Sequence, residues 1–202
     1  MGISLQQFEQ MKGRLSRAKP TASPIWPAPR TSSAGSHRIV LGIDPSLRGT
    51  GYGVIRVGRP NPEALLHGTI RCPTGWERSR CLVKIAQTLR EVLRQHHPTA
   101  CAVEGLFYAQ NLETALIMGE ARGAAMAVVA EAGVEIYEIA PRKVKQAIVG
   151  YGAAQKSAVA KMVQRLLNLT AEPAPDAADA LALALTFAQE HRRNSLSLPK
   201  RV

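Results

Sequence analysis

Acidic residues are scarce in this chain: 15 Asp and Glu stand against 26 Lys and Arg in 202 residues, leaving a net charge of +11. Other shortages narrow the field further. There are three cysteines, Cys72, Cys81 and Cys101, odd in number and without C-x-x-C spacing. Neither a disulfide framework nor a zinc site is indicated, and the thiols are expected to be reduced packing residues. No apolar run reaches the roughly 18 residues a membrane span needs. The opening segment, Met1 to Lys19, mixes Gln, Glu, Lys and Arg, unlike the ordered charged-then-apolar layout of a secretion signal. A cytoplasmic chain without a membrane partner is expected. The phosphate-loop pattern G-x-x-x-x-G-K-[ST] and the nucleophile elbow G-x-S-x-G are both missing, which removes two large enzyme classes.

The positive charge that remains is unevenly spread. Residues 1–37 carry five Lys/Arg and one acid, residues 191–202 carry four and none, and residues 38–190 carry 17 against 14. Within that balanced middle, Arg142 to Arg165 contains six basic residues and no acid. A polyanion such as nucleic acid is the natural partner of such a stretch, and Arg142, Lys143, Lys145, Lys156 and Lys161 are its candidate contacts. A solvated face kept soluble by charge is the plain alternative.

The chain is long enough for one domain with a sizeable core. Residues 1–37, whose second half (Lys19 to His37) is dense in Pro, Ser, Thr, Ala and Gly, read as a basic, flexible N-terminal extension. Residues 38–190 read as the folded domain and residues 191–202 as a basic, flexible tail. Three strands are expected at 38–44, about 50–57 and about 64–72, with turn residues between them. The period then becomes helical through residues 76–97, with Leu82, Ile85, Leu89 and Leu93 on one face. A buried strand ending near Glu104 follows. Next come a helix from Asn111 to Ala132, closed by Gly133, a fifth strand at "VEIYEIA", and helices near 141–149, 154–168 and 176–190. The pattern is α/β: a five-stranded mixed sheet covered by helices.

Against a basic background, four acids occupy informative places. The apolar run Ile39 to Ile43 ends on Asp44, the fourth strand ends near Glu104, and Asp176 and Asp179 lie three apart at the start of the last helix, on one face of its first turn. Strand ends and helix N-termini are where α/β sheets place ligand chemistry. Each acid also has a structural reading: Asp44 could open a turn before Pro45, Asp176 could cap its helix, Asp179 could complement the helix dipole, and Glu104 could meet an arginine. Taken jointly, four converging carboxylates would hold protons unless divalent cations neutralised them. Carboxylate oxygens suit Mg²⁺ or Mn²⁺. Two such ions form the clamp that serves phosphodiester hydrolysis.

The segments "LGIDPSLRGTGYGVI", "AVEGLFYAQNLETALIMGEARGAA", "APRKVKQAIVGYGAAQKSAVAKMV" and "DAADALALAL", in that order, resemble the RuvC-type Holliday junction resolvases, crossover junction endodeoxyribonucleases of the ribonuclease H-like fold. The resemblance runs from about Arg38 to Gln189. It implies a ribonuclease H-like sheet with helices on both faces. It also implies Asp44, Glu104, Asp176 and Asp179 as catalytic ligands of two Mg²⁺ ions per subunit, with Mn²⁺ able to substitute. By the same resemblance Lys145 and Lys156 correspond to basic residues that contact the scissile region or the DNA backbone, and Phe107 to an aromatic that stacks on a junction base. Further implications are a homodimer acting on four-way junction DNA and cooperation with a branch-migration helicase complex. The small residues Gly119, Ala121, Gly123, Ala124 and Ala125 mark a candidate dimer face, core packing being the alternative.

Overall fold

Alternation along β1 (Ile39–Asp44) sends Val40 to one side of the sheet and Leu41 and Ile43 to the other, and all three are buried because both sides are covered. The computed structural model describes residues 37–58, 60–105, 111–192 and 200–202. β1 pairs antiparallel with β2 (Gly49–Arg56), which pairs antiparallel with β3 (Glu63–Arg71). On its other edge β1 runs parallel to β4 (Ala100–Glu104), and β4 runs parallel to β5 (Glu135–Ile139). The sheet order among the described residues is β3-β2-β1-β4-β5-β6.

The sixth strand departs from the five expected. β6 (Lys200–Arg201) adds antiparallel to β5, inside a segment the sequence reads as a flexible tail. The reason is local. β5 would otherwise present an open edge. Val202 donates its N–H to the Ile136 carbonyl at 3.1 Å, and the Arg201 guanidinium sits 3.1 Å from Glu135. The boundary at residue 37 also shifts, since His37 is buried and belongs to the fold.

Two helices cover one face. α1 (Arg78–His96) packs through Cys81, Ile85 and Leu89, and α2 (Leu112–Glu131) through Ala121, Ala125 and Val128. The Asn111 side chain caps α2 by accepting the Thr114 N–H at 2.8 Å. The other face carries α3 (Pro141–Val149), α4 (Lys156–Leu166) and α5 (Pro175–Arg192), meeting the sheet through Val144, Val163, Leu181 and Phe187. α5 is rich in alanine and buried on nearly every side.

Glycine decides how close α5 comes. A Cβ on Gly42 would stand 1.9 Å from the Ala180 carbonyl oxygen, and one on Gly51 would stand 1.9 Å from that of Asp176. The bare backbone of β1 and β2 lets the helix rest directly on the sheet. The three cysteines are free and buried, as the sequence leads one to expect. No helix among the described residues is long and apolar enough to cross a membrane.

Candidate active site

Parallel pairing sets the first half of the site. Ile43 lies opposite Val103, so the next residues along, Asp44 and Glu104, leave neighbouring strands side by side at their C-terminal ends. The second half comes from α5. Asp44 is paired across β1 and β2 with Gly51, and the Asp176 backbone lies on Gly51 while its carboxylate reaches over Gly49. Asp179, three residues further along the same helix, faces Asp44 and Glu104 closely enough to act on both electrostatically. The four acids named from sequence therefore gather at one end of the sheet.

Their environment is strained electrostatically. Burial pushes the Asp44 carboxyl up to about 8, the charges of Glu104 and Asp179 push in the same direction, and Lys156 opposes them. Burial also raises Glu104. The hydrogen bond it shares with Asp44 counteracts that, Asp179 adds to it, and Lys156 and Lys145 counteract it. Both carboxyls of the hydrogen-bonded pair are therefore held above their ordinary range, as expected when two carboxylates meet out of water. Asp179 is bound instead by the Lys156 ammonium at 2.8 Å. Among the described residues no three His, Cys, Asp or Glu side chains stand gathered as a ready metal cage. The donor set nevertheless fits a hard divalent cation: it is all carboxylate oxygen, and Asp44, Glu104 and Asp179 repel one another with only lysines as relief.

Asp176 lies inside the first turn after Pro175 and does not cap the helix. Arg122 of α2 approaches Glu104 but donates to its main-chain carbonyl at 3.3 Å, while the guanidinium pairs with Glu138 on β5. The Glu104 carboxylate is left for the site. The sequence reading missed Arg122, which ties the ends of β4 and β5 together; its only signal was an arginine amid the small residues of α2. Thr50 steadies the turn after Asp44, its hydroxyl donating to the Ser46 carbonyl and accepting the Ser46 N–H.

The basic candidates divide. Lys156 and Lys145 face the acids. Lys143 is held by Glu190 of α5 at 2.8 Å. Arg142 and Lys161 are exposed, and the Arg142 side chain lies over Gly152. Phe107 falls outside the described residues.

Comparison with known proteins decides the family. Residues 40–187 match the family model for the crossover junction endodeoxyribonuclease RuvC. The chain belongs to that family. A relative of the same name from Rubrobacter xylanophilus is 42% identical over 159 residues, 78% of this chain and 89% of the relative. The solved structure of Thermus thermophilus RuvC in complex with a Holliday junction substrate superposes with a TM-score of 0.75 at 36% identity, covering 82% of this chain and 100% of that one. The yeast mitochondrial Holliday junction resolvase shares the fold at 13% identity, with a TM-score of 0.56 and coverage of 80% of this chain and 84% of its own. As a crossover junction endodeoxyribonuclease, the chain is a metal-dependent nuclease.

Proposed function

We propose that this crossover junction endodeoxyribonuclease resolves four-way DNA junctions by paired nicks, using Asp44, Glu104, Asp176 and Asp179 to hold two Mg²⁺ ions, with Mn²⁺ able to substitute. Holliday junction resolution is the function of its family. The observation that supports the ligand assignment is the convergence of acids from β1, β4 and α5 into one half-buried cluster whose charges destabilise one another. When bound, the ions supply Lewis acidity toward the attacking water and the departing phosphodiester oxygen. The chain's own part is to hold and orient. Asp44 and Glu104 are fixed by strand pairing, and Asp176 and Asp179 by the first turn of α5. Lys156, which holds Asp179 at 2.8 Å, and Lys145 are the cations that act on the acids and would meet the phosphate backbone of a substrate there. Arg142, Lys143 and Lys161 extend that surface, and Phe107, four residues upstream of the α2 cap and outside the described residues, supplies a base-stacking aromatic.

A four-way junction is approximately two-fold symmetric, so paired nicks require two sites related by the same symmetry. α2 supports a homodimer. Its small residues separate into two sets: Ala121 and Ala125 are buried in the core, while Gly119 and Gly123 have open space where a Cβ would be. Leu112 and Leu116 continue the open stripe at 76% and 58% exposure, a pattern suited to close helix contact. The basic residues of 1–36 and of the C-terminal segment that ends in β6 add further positive charge. A cytoplasmic location and a branch-migration helicase partner complete the proposal.

The test is a synthetic four-way junction. Symmetric nicking is expected with Mg²⁺ and none with EDTA, and Asp44→Asn should bind the junction while losing cleavage by several orders of magnitude. Normal cutting by the Asn variant would remove Asp44 from the metal site. Linear duplex cut as readily as the junction would make the enzyme a general nuclease.

A further inference from the structure

Tyr151 presents a large side chain more than half exposed to solvent. It lies in the turn joining α3 to α4, with its side chain 56% exposed. Among the described residues the other exposed large hydrophobics are aliphatic: Val83, Leu112, Leu116 and Val202. Aromatics make up only 4% of the chain, and those described elsewhere are accounted for: Phe187 is in the core, Tyr52 and Trp76 pack against it, and the Tyr137 hydroxyl is bound to Glu135. A scarce, costly side chain is here directed into solvent.

The turn that carries it is fixed on both sides. Gly150 takes φ 97° and closes α3 by donating its N–H to Gln146 at 3.0 Å. On the other side a Cβ on Gly152 would stand 2.5 Å from the Arg142 Cγ, so the arginine stem lies on the bare glycine. Ala154, buried, donates its N–H to the Tyr151 carbonyl at 3.4 Å. Tyr151 is therefore presented by an anchored backbone, which lowers the entropy lost on contact.

The turn lies within a cationic stretch of the chain, between two lysines that act on the carboxylates. Between Arg142 and Arg165 there is no acid. Lys145 lies before the turn on α3 and Lys156 follows it at the start of α4, and both act on the carboxylate cluster. A rigid outward aromatic set among cations that lead to a phosphodiester-cutting site has the chemistry of a base-stacking contact: the cations take the backbone, and the ring takes the π-face of a base that has no partner.

We infer that Tyr151 is a further substrate-positioning residue, stacking on an unpaired base of the junction beside the active site. The inference rests on the nuclease reading above and extends it, because a stacking ring favours open junctions over continuous duplex, whose bases are already stacked.

The experiment separates the two readings by measuring binding without cleavage. In the Asp44→Asn background, with EDTA present, affinity is measured for a four-way junction and for linear duplex, alone and with Tyr151→Ala or Tyr151→Phe added. Tyr151→Ala should weaken junction binding roughly 10-fold, the scale of one base–aromatic stack. Duplex binding and the slope of affinity against salt should stay unchanged, since no phosphate contact is removed. Tyr151→Phe should keep wild-type affinity. A 2-aminopurine at the crossover should be quenched on binding by the tyrosine and phenylalanine forms and not by the alanine form. Equal junction affinity and equal quenching in all three would overturn the inference while leaving the nuclease reading intact. No preference for junction over duplex in the parent Asp44→Asn protein would sink both.

Discussion

The parallel strands β1, β4 and β5 treat charge in opposite ways at their two ends. Where they begin, Glu135 accepts the Tyr137 hydroxyl at 2.8 Å, meets Arg201 at 3.1 Å and lies 3.6 Å from His37. The His37 ring is hydrogen-bonded to Thr99 at 3.1 Å and packed edge-on against Phe187. Burial and the neighbouring His191 lower its pKa. Where the strands end, Asp44 and Glu104 face each other and Asp179, with lysines as partial relief. One end has a complement for its half-buried acid and holds the sheet edge closed. The other concentrates acids at a cost to folding, an arrangement found at functional sites more than at structural ones.

Three changes would break or sharpen that contrast. The largest effect is expected from Gly51→Ala. Its Cβ would collide with the Asp176 carbonyl oxygen, forcing α5 away from the sheet and carrying two acids with it. A stability loss of about 1–3 kcal/mol should accompany near-complete loss of junction cleavage, read by thermal denaturation and a nicking assay. Retained cleavage would mean that the seating of α5 on glycine does not set the site.

Next in size is the pH response of the metal-free protein. The folded Asp44 value of about 8 lies above its ordinary 3.8, so the stability tied to its proton is fully present below the ordinary value and is lost as pH rises through about 8. Melting temperature without metal should therefore fall between pH 5 and 8. Saturating Mg²⁺ should offset the fall by binding the ionised cluster, and Asp44→Asn should flatten it. Identical profiles for the wild type and the Asn variant would show that Asp44 is not destabilised in the fold.

The smallest effect belongs to the opposite end. Glu135→Gln removes a satisfied charge and should cost about 1–2 kcal/mol, with the rate of cleavage unchanged for the protein that remains folded. A cleavage defect comparable to that of a site variant would erase the division of labour.

Much of this was legible in the residues because its causes are local. The apolar run ending on Asp44, the capping Asn111 and the paired acids of "PDAAD" each reflect a short-range rule, and strand and helix limits follow within a few residues. β6 was not legible: nothing in Lys200 and Arg201 themselves favours a strand, and the pairing arises because β5 offers an edge and Glu135 a counter-charge. Arg122 was equally silent, since its role depends on Glu138 and on a carbonyl 18 residues distant in sequence.

By itself the sequence determined which chemistry was available: a few carboxylates at strand and helix ends, a run of cations without acids, and glycines where strands would need to be bare. Only the tertiary structure decided that these meet. Parallel register sets Asp44 beside Glu104, and the missing side chain at Gly51 admits Asp176 to contact, because proximity between distant segments follows from how surfaces pack and not from the identity of any residue alone.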